Sequence, residues 1–287
     1  MKLHPRDSND QRLLNASLQI SPEPSRLRWV HDVFDNSVAI PDFKGQTREL
    51  CVECNIMREH IQFGEPETLL DERARFYPFA YDADEVPDLS RAMERSYADP
   101  NCELDRWARG FLHNGRPTDT ATLLMTLTYA VMEGLSYERR TERGTQSPLQ
   151  TLSVRRGACR GFATLMGEAA RSLGFAARFV SEYIYVPDRD GGQRNLGGGS
   201  THAWCQVYLP GPGWVEFDPT NGIVGNRDLI RVAVAREARQ ALPLHGTSFG
   251  DAADEDGMEV SVRVCAHPAS RPAPDAPQTT GEGSPGR

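Results

Sequence analysis

Hydrophobic and polar positions alternate in short runs over the first sixty or so residues, as a half-buried β-strand requires. QRLLNASLQI, SRLRWVHDVF and TRELCVECNIM are such runs, and Asp35-Asn36-Ser37 between RLRWVHDVF and VAI is a turn signal. The spacing predicts a small antiparallel β region over residues 11 to about 64. From Pro87 to Gly134 the period becomes helical, with segments expected after Asp88, around Leu104 to Leu112, and from Thr118 to Met132, where the Thr-rich start suits an N-cap. CRGFATLMGEAARSL (159–173) sets Phe162, Leu165, Met166, Ala169, Ala170 and Leu173 on one face, and Gly174 ends it. Then come the strand runs FAARFVSEYIYV, HAWCQVYL and WVEFD, with a Gly-rich loop (Asp188 to Ser200) and the turn Pro210 to Gly213 between them. After DPTNG the pattern predicts a short helix-capable run from Arg227 to Ala241, an acidic loop at Asp251 to Asp256, and a last strand in MEVSVRVC.

Helices followed by antiparallel strands make an α+β layout. The expected division is a β-rich domain at 1–86, a second domain at 87–265, and a Pro-, Gly- and Ser-rich tail at 266–287 with too little to bury to stay ordered.

Composition narrows the function. With 287 residues, 39% hydrophobic and 25% charged, the chain can bury a proper core. A formal net charge of -8 argues against nucleic acid as a partner. No stretch approaches ~18 consecutive apolar residues, and MKLHPRDSND lacks the apolar core of a secretory signal, so neither a membrane nor export is expected and the cytoplasm is the compartment read from the sequence. Six cysteines in such a chain do not resemble a secreted disulfide framework. Cys51 and Cys54 form a C-x-x-C, but no second Cys/His pair follows at zinc spacing, and a strand points the two sulfurs to opposite faces. They are read as ordinary strand cysteines in preference to a metal or redox pair; no metal and no cofactor is expected.

Three residues stand in a pattern that can do chemistry. Cys159 begins the most amphipathic helix, where unpaired N–H groups and the positive end of the dipole favour a thiolate, and Gly157-Ala158 leave backbone room for a carbonyl substrate. His202 opens one strand and Asp218 closes the next across a tight PGPG turn. Parity sets a requirement: they share a face when Tyr208 lies opposite Trp214 and Trp204 opposite Asp218. Asp218 then holds one imidazole nitrogen and aims the other at Cys159, the logic of nucleophile, base and orienting carboxylate. Cys205, mid-strand, is expected to be a small buried thiol.

RRGACRGFATLMGEAARSLGFAARFVSEYI and THAWCQVYLPGPGWVEFDPTNG, in that order, resemble the core of the bacterial transglutaminase-like superfamily, over roughly Leu135 to Gly222. The resemblance implies a papain-like core with its nucleophile helix packed on an antiparallel sheet, behind a small β domain. It assigns the nucleophile to Cys159, the base to His202 and the orienting carboxylate to Asp218. It also implies a cysteine-dependent amide or peptide hydrolase or acyl transferase, working through a thioester on a peptide or protein substrate, with a primary-amine acceptor if it transamidates. The alternative from another class is a catalytically silent binding scaffold on the same fold. Many relatives carry Asp where this chain has Gly161, and relatives usually have a further strand before LHPRDSNDQRLL, so an incomplete sheet edge is expected here. Tyr137 and Gln150 are candidate oxyanion donors. Trp204 and Trp214 are read either as cleft walls or as core aromatics, and the Gly-rich loop as a lid beside His202.

Overall fold

The alternation near the N-terminus becomes two hairpin-like ribbons. In the computed structural model, which describes residues 1–61, 69–140, 144–185, 200–251 and 257–267, β1 (Gln11–Ser21) pairs antiparallel with β4 (Cys51–His60), with a bulge between Leu13 and Asn15. Along β4, Val52, Cys54 and Ile56 are half-buried while Cys51, Glu53, Asn55 and Met57 are exposed, so the period of two decides which side chains turn inward. β2 (Arg26–His31) pairs with β3 (Ser37–Asp42) through a turn that Asp32 organises, its carboxylate accepting from the Phe34 and Asn36 amides at 2.9 and 3.0 Å.

A helical layer follows: α1 (Val86–Met93), α2 (Glu103–Arg109), α3 (Thr120–Gly134), α4 (Pro148–Val154) and α5 (Cys159–Ser172). Two short pairings tie it together, β5 (Phe76–Tyr77) with β6 (Thr118–Asp119) and β7 (Ser136–Tyr137) with β8 (Arg156–Gly157). Asp119, rather than one of the threonines, caps α3 by accepting from the Thr122 amide at 2.9 Å. The main sheet has the order β12-β11-β10-β9-β13, antiparallel throughout, from β9 (Ala177–Ile184), β10 (His202–Leu209), β11 (Gly213–Asp218), β12 (Ile223–Val224) and β13 (Leu229–Ala235).

The face foreseen on α5 is buried. Phe162, Leu165, Met166, Ala169, Ala170 and Leu173 pack against Leu123, Leu124 and Leu127 of α3 and against Cys205, Val207, Leu209, Val215 and Phe217 of the sheet. Each large side chain among them contributes roughly 1.5–3 kcal/mol by leaving water. Burial extends beyond that stripe. Glu168 and Arg171 are also inside, paired at 2.6 Å, with Glu168 accepting from the Ser96 amide and Arg171 donating to the carbonyls of Ala92, Ala177 and Arg236. A central helix walled on every side can keep these charges because nearly every donor and acceptor is met.

Two expectations fail. The run from Arg227 to Ala241 is not helical: Leu229–Ala235 is β13, paired with β9, and only Ala238–Ala241 forms a 3-10 turn. A buried LIRVAVA run has no polar face to give it a period, and its β-branched residues suit the open edge that β9 offers. MEVSVRVC forms no strand either, since its alternation supplies a face but no ladder partner lies beside it among the described residues. The Gly-rich loop at 186–199, most of the acidic loop (252–256) and the tail at 268–287 lie outside the described residues.

One side-chain amide bridges the β2–β3 ribbon to this sheet, and Gln11 of β1, donating from Nε2 to the Arg231 carbonyl at 2.8 Å, ties the other. Asn36, buried at the β2–β3 turn, donates from Nδ2 to the Val234 carbonyl (2.7 Å) and accepts at Oδ1 from the Val234 amide (2.8 Å), taking the place of a strand residue beside β13.

Candidate active site

The chain enters α5 from extended backbone. β8 ends at Gly157, Ala158 keeps φ -95 and ψ 171, and the helix begins on Cys159. Gly157 has a packing reason: a Cβ there would come within 3.2 Å of both Gln146 Oε1 and Phe162 Cε1. At Gly161 a Cβ would meet Thr151 Oγ1 at 3.3 Å, so α4 occupies the space an aspartate would need. Ala158 offers no side-chain cap, which leaves the first N–H groups of α5 without the partner a Ser, Thr or Asp would give.

β10 and β11 set the other two groups. Tyr208 lies opposite Trp214 and Cys205 opposite Phe217, the register that parity requires, so His202 and Asp218 share a face. His202 Nε2 lies 2.8 Å from Asp218 Oδ2, and both side chains are wholly buried. The DPTN turn satisfies the rest of the carboxylate: the Thr220 amide donates to Oδ1 at 2.9 Å and Asn221 Nδ2 to Oδ2 at 2.7 Å. Burial alone would disfavour the charges of both partners. For His202 the nearby Asp218 charge, the Asp218 hydrogen bond and then Cys159 reverse that, and the imidazole is raised to about 10. Asp218 is likewise lowered against the effect of its burial, by His202, Asn221 and Thr220.

The second ring nitrogen, Nδ1, is buried, and the Cys159 thiol lies beside the ring, where its hydrogen bond and charge add to the rise; among the described residues Nδ1 has no other partner. Cys159 is 7% exposed and packs among Ala163, Phe179, Ala203, Ala233 and Ala235. Small side chains from α5, β10 and β13 let a helix start and a strand start come close.

The remaining candidates separate. Tyr137 packs on the Cys159 cluster, and burial first, then the Cys159 charge, raises its phenol. Gln150 is an exposed residue of α4; the glutamine near the start of α5 is Gln146, buried, with Nε2 donating to the Arg156 carbonyl at 3.2 Å. Trp204 is a core aromatic, packed with Val180, Ile184, Ile223, Leu229 and Val234, its ring 6.0 Å from that of His202. Trp214 lies at the far end of the hairpin, against Tyr208 and under Arg178. Cys205 is buried, which pushes its thiol up. Cys51 is exposed while Cys54 is half-buried near His4 Nδ1 (3.8 Å), with burial pushing it up to about 11. Among the described residues no three His, Cys, Asp or Glu side chains converge as a metal site, and no helix is long and apolar enough to cross a membrane. Sequence reasoning missed Asn221 and Gln146. The first was legible as a side chain one turn past a buried Asp in DPTNG; the second carried no local signal.

Comparison with known proteins bears on the family and the fold. Residues 106–219 match the transglutaminase-like superfamily core, and residues 1–57 match the bacterial transglutaminase-like N-terminal region. Over 118 residues the chain is 35% identical to an uncharacterized protein of Mycobacterium leprae, covering 41% of this chain and 40% of that one. Over 119 residues it is 34% identical to an uncharacterized protein of Mycobacterium tuberculosis, covering 40% and 38%. The matched stretch thus spans about two fifths of the length of these curated relatives. A solved structure, a proposed cysteine protease from Cytophaga hutchinsonii, superposes with a TM-score of 0.62 at 19% identity, over 84% of this chain and 76% of that one. The α+β fold with its nucleophile-type helix on an antiparallel sheet is shared between them.

Proposed function

We propose, from the premise that this chain belongs to the transglutaminase-like superfamily, that it is a cysteine-dependent acyl-transfer enzyme in which Cys159, His202 and Asp218 act on a carboxamide of a peptide or protein. The observation that carries the reading is the buried His202 ring: one nitrogen is held by Asp218 at 2.8 Å, and the other finds no donor or acceptor among the described residues besides the neighbouring Cys159 thiol at a helix start. A structural histidine would satisfy both nitrogens. This one keeps Nδ1 for a proton in transit.

In the proposed cycle, the Cys159 sulfur attacks the carboxamide carbon, and negative charge gathers on the carbonyl oxygen. The uncapped N–H groups at the start of α5 are the donors proposed to receive that charge, with Tyr137, packed on the Cys159 cluster, and Gln146, beside Gly157, as side chains that could join them. Imidazolium at His202 gives its proton to the departing nitrogen, the C–N bond breaks, and a thioester remains on Cys159. Water or a primary amine then attacks the thioester. The now neutral imidazole takes a proton from it, and the Cys159 thiolate is released with a carboxylic acid or a new amide, which restores the pair with imidazolium. Asp218 fixes the ring and holds the imidazolium throughout, while Thr220 and Asn221 fix Asp218.

Incubation with a glutaminyl peptide, with and without a primary amine, followed by mass spectrometry tests this. Gain of the amine marks transamidation, and deamidation or backbone cleavage marks hydrolysis. An unchanged peptide across a panel of glutaminyl and backbone-amide substrates would turn the reading to the silent scaffold. The cytoplasm remains the proposed compartment on the sequence argument, and cell fractionation with an antibody to the chain checks it.

A further inference from the structure

A second cavity lies on the concave face of the sheet, away from Cys159. It encloses about 300 Å³ between the N-terminal residues Arg6 to Gln11 and the strands β9, β10, β11 and β13. Arg178, Gln206 and Glu216 stand opposite one another on β9, β10 and β11. Arg231, on β13 beyond β9, reaches over this row to Glu216 at 2.7 Å and also holds Asp10 at 2.7 Å. Strands three places apart in a flat sheet lie roughly 14 Å from one another, so that ion pair forms only because the sheet curls inward here.

The charges in this cleft do not all find partners. Arg231 serves Asp10 and Glu216, Gln206 also donates to Glu216 at 2.6 Å, and Arg6 pairs with Asp35 outside it. Arg178 is left over. Its Nε donates to Gln206 Oε1 at 2.6 Å and its guanidinium carbon lies over the Trp214 ring, 4.1 Å from the centroid, but among the described residues no carboxylate pairs with it. Protein atoms crowd it on every side except the cleft, and this burial, with the Arg231 charge next and Glu216 partly opposing, lowers it to about 9. A cation so enclosed without a counter-charge is costly, and a planar guanidinium clamped on an aromatic face presents its remaining N–H groups in the fork that grips a carboxylate.

We infer that this cleft is a binding site for a small monocarboxylate, whose carboxylate pairs with Arg178 while Gln206 and the N-terminal residues meet its polar remainder. The volume is at the small end of ligand pockets, which suits a metabolite rather than a peptide. Arg6, Arg178 and Arg231 stand against Asp7, Asp10 and Glu216 in the lining, and with Asp10 and Glu216 held by Arg231 and Arg6 turned to Asp35, Arg178 remains to balance one negative charge, whereas a phosphate dianion would bring a second that no free guanidinium meets.

The full-length protein titrated at fixed ionic strength with acetate, pyruvate, glycine and glutamine, and separately with inorganic phosphate, tests this by intrinsic tryptophan fluorescence and melting temperature. At least one monocarboxylate is expected to saturate, to shift emission through Trp214, and to raise the melting temperature. Arg178→Gln, which removes an unpaired charge and so retains the fold, is expected to weaken that ligand by about tenfold or more, and Arg178→Lys by less. The Cys159→Ala protein is expected to bind as wild type, which separates this site from the proposed chemistry. No saturation by any monocarboxylate, equal binding by Arg178→Gln, or tighter binding of phosphate would each overturn the assignment.

Discussion

The Asp218→Asn substitution tests the heart of the site without any substrate. It keeps the size of the side chain and, with its oxygen at Oδ1, the contact from the Thr220 amide, puts an NH2 where Oδ2 accepts from Asn221, and removes the charge 2.8 Å from His202 Nε2. A rise of the imidazole from 6.5 to about 10 corresponds to ~5 kcal/mol of added preference for imidazolium. A direct Coulomb figure at that separation, with an effective dielectric of about 20, is ~6 kcal/mol, so the carboxylate alone can supply a shift of this size. Without it, burial acts unopposed except by Cys159, and the imidazole should fall to its ordinary value or below. The sign for stability follows. Because His202 is raised on folding, its contribution is complete below pH 6.5 and is lost as pH rises through about 10; because Asp218 is lowered, its contribution is present above 3.8 and lost on acidification. The assay is an NMR titration of histidine-labelled protein in a Cys159→Ala background, with His202 identified among the seven histidines by its loss in His202→Gln. With Asp218 present the ring should remain imidazolium well above neutrality, and in the Asp218→Asn protein it should titrate at least ~2 pH units lower. Identical titration of the two proteins would refute the account of the pair.

Other expectations concern reactivity and stability. Brief iodoacetamide treatment at pH 6 should label Cys159 before Cys54 or the buried Cys205, both of which burial pushes up, and His202→Ala should remove the advantage; peptide mapping with a urea-unfolded control checks it. Arg171→Leu should destabilise the fold by ~3–5 kcal/mol in urea unfolding, because Glu168 is left buried without its 2.6 Å partner, whereas the double change Glu168→Leu/Arg171→Leu should cost less than the single one. Gly222→Ala should lower the melting temperature and slow Cys159 labelling: φ is +67 there, a Cβ would come within 2.7 Å of Met132 Sδ, and Gly222 closes the turn that holds Asp218 by donating to its carbonyl at 2.9 Å.

The parts of this protein with a strict period were legible in its sequence. The buried face of α5 followed from its 3.6 repeat, and the Tyr208–Trp214 register followed from parity and a tight turn, because both depend on positions a few residues apart. β13 was misread since a run buried on both faces has no period to read, and residues 258–265 since alternation says nothing about whether a partner strand exists. The site divides the same way. His202 and Asp218 lie on one hairpin and could be placed from local geometry, while the approach of Cys159 depends on α5 crossing a sheet that offers it alanines from two strands, β10 and β13. Gln146 and the Arg178 cleft depend on contacts between distant segments, and no local pattern marks them.

The central claim is that Cys159 carries the acyl group, and intact-mass spectrometry after acid quench reads it most directly. The protein is mixed with a glutaminyl peptide that turns over and quenched at short times. The account predicts a transient mass increase equal to the acyl fragment, mapping to Cys159, stable in acid and discharged by hydroxylamine, absent from Cys159→Ala and slow to form in His202→Ala. Turnover that persists in folded Cys159→Ala, or an adduct mapping to another residue, would contradict it.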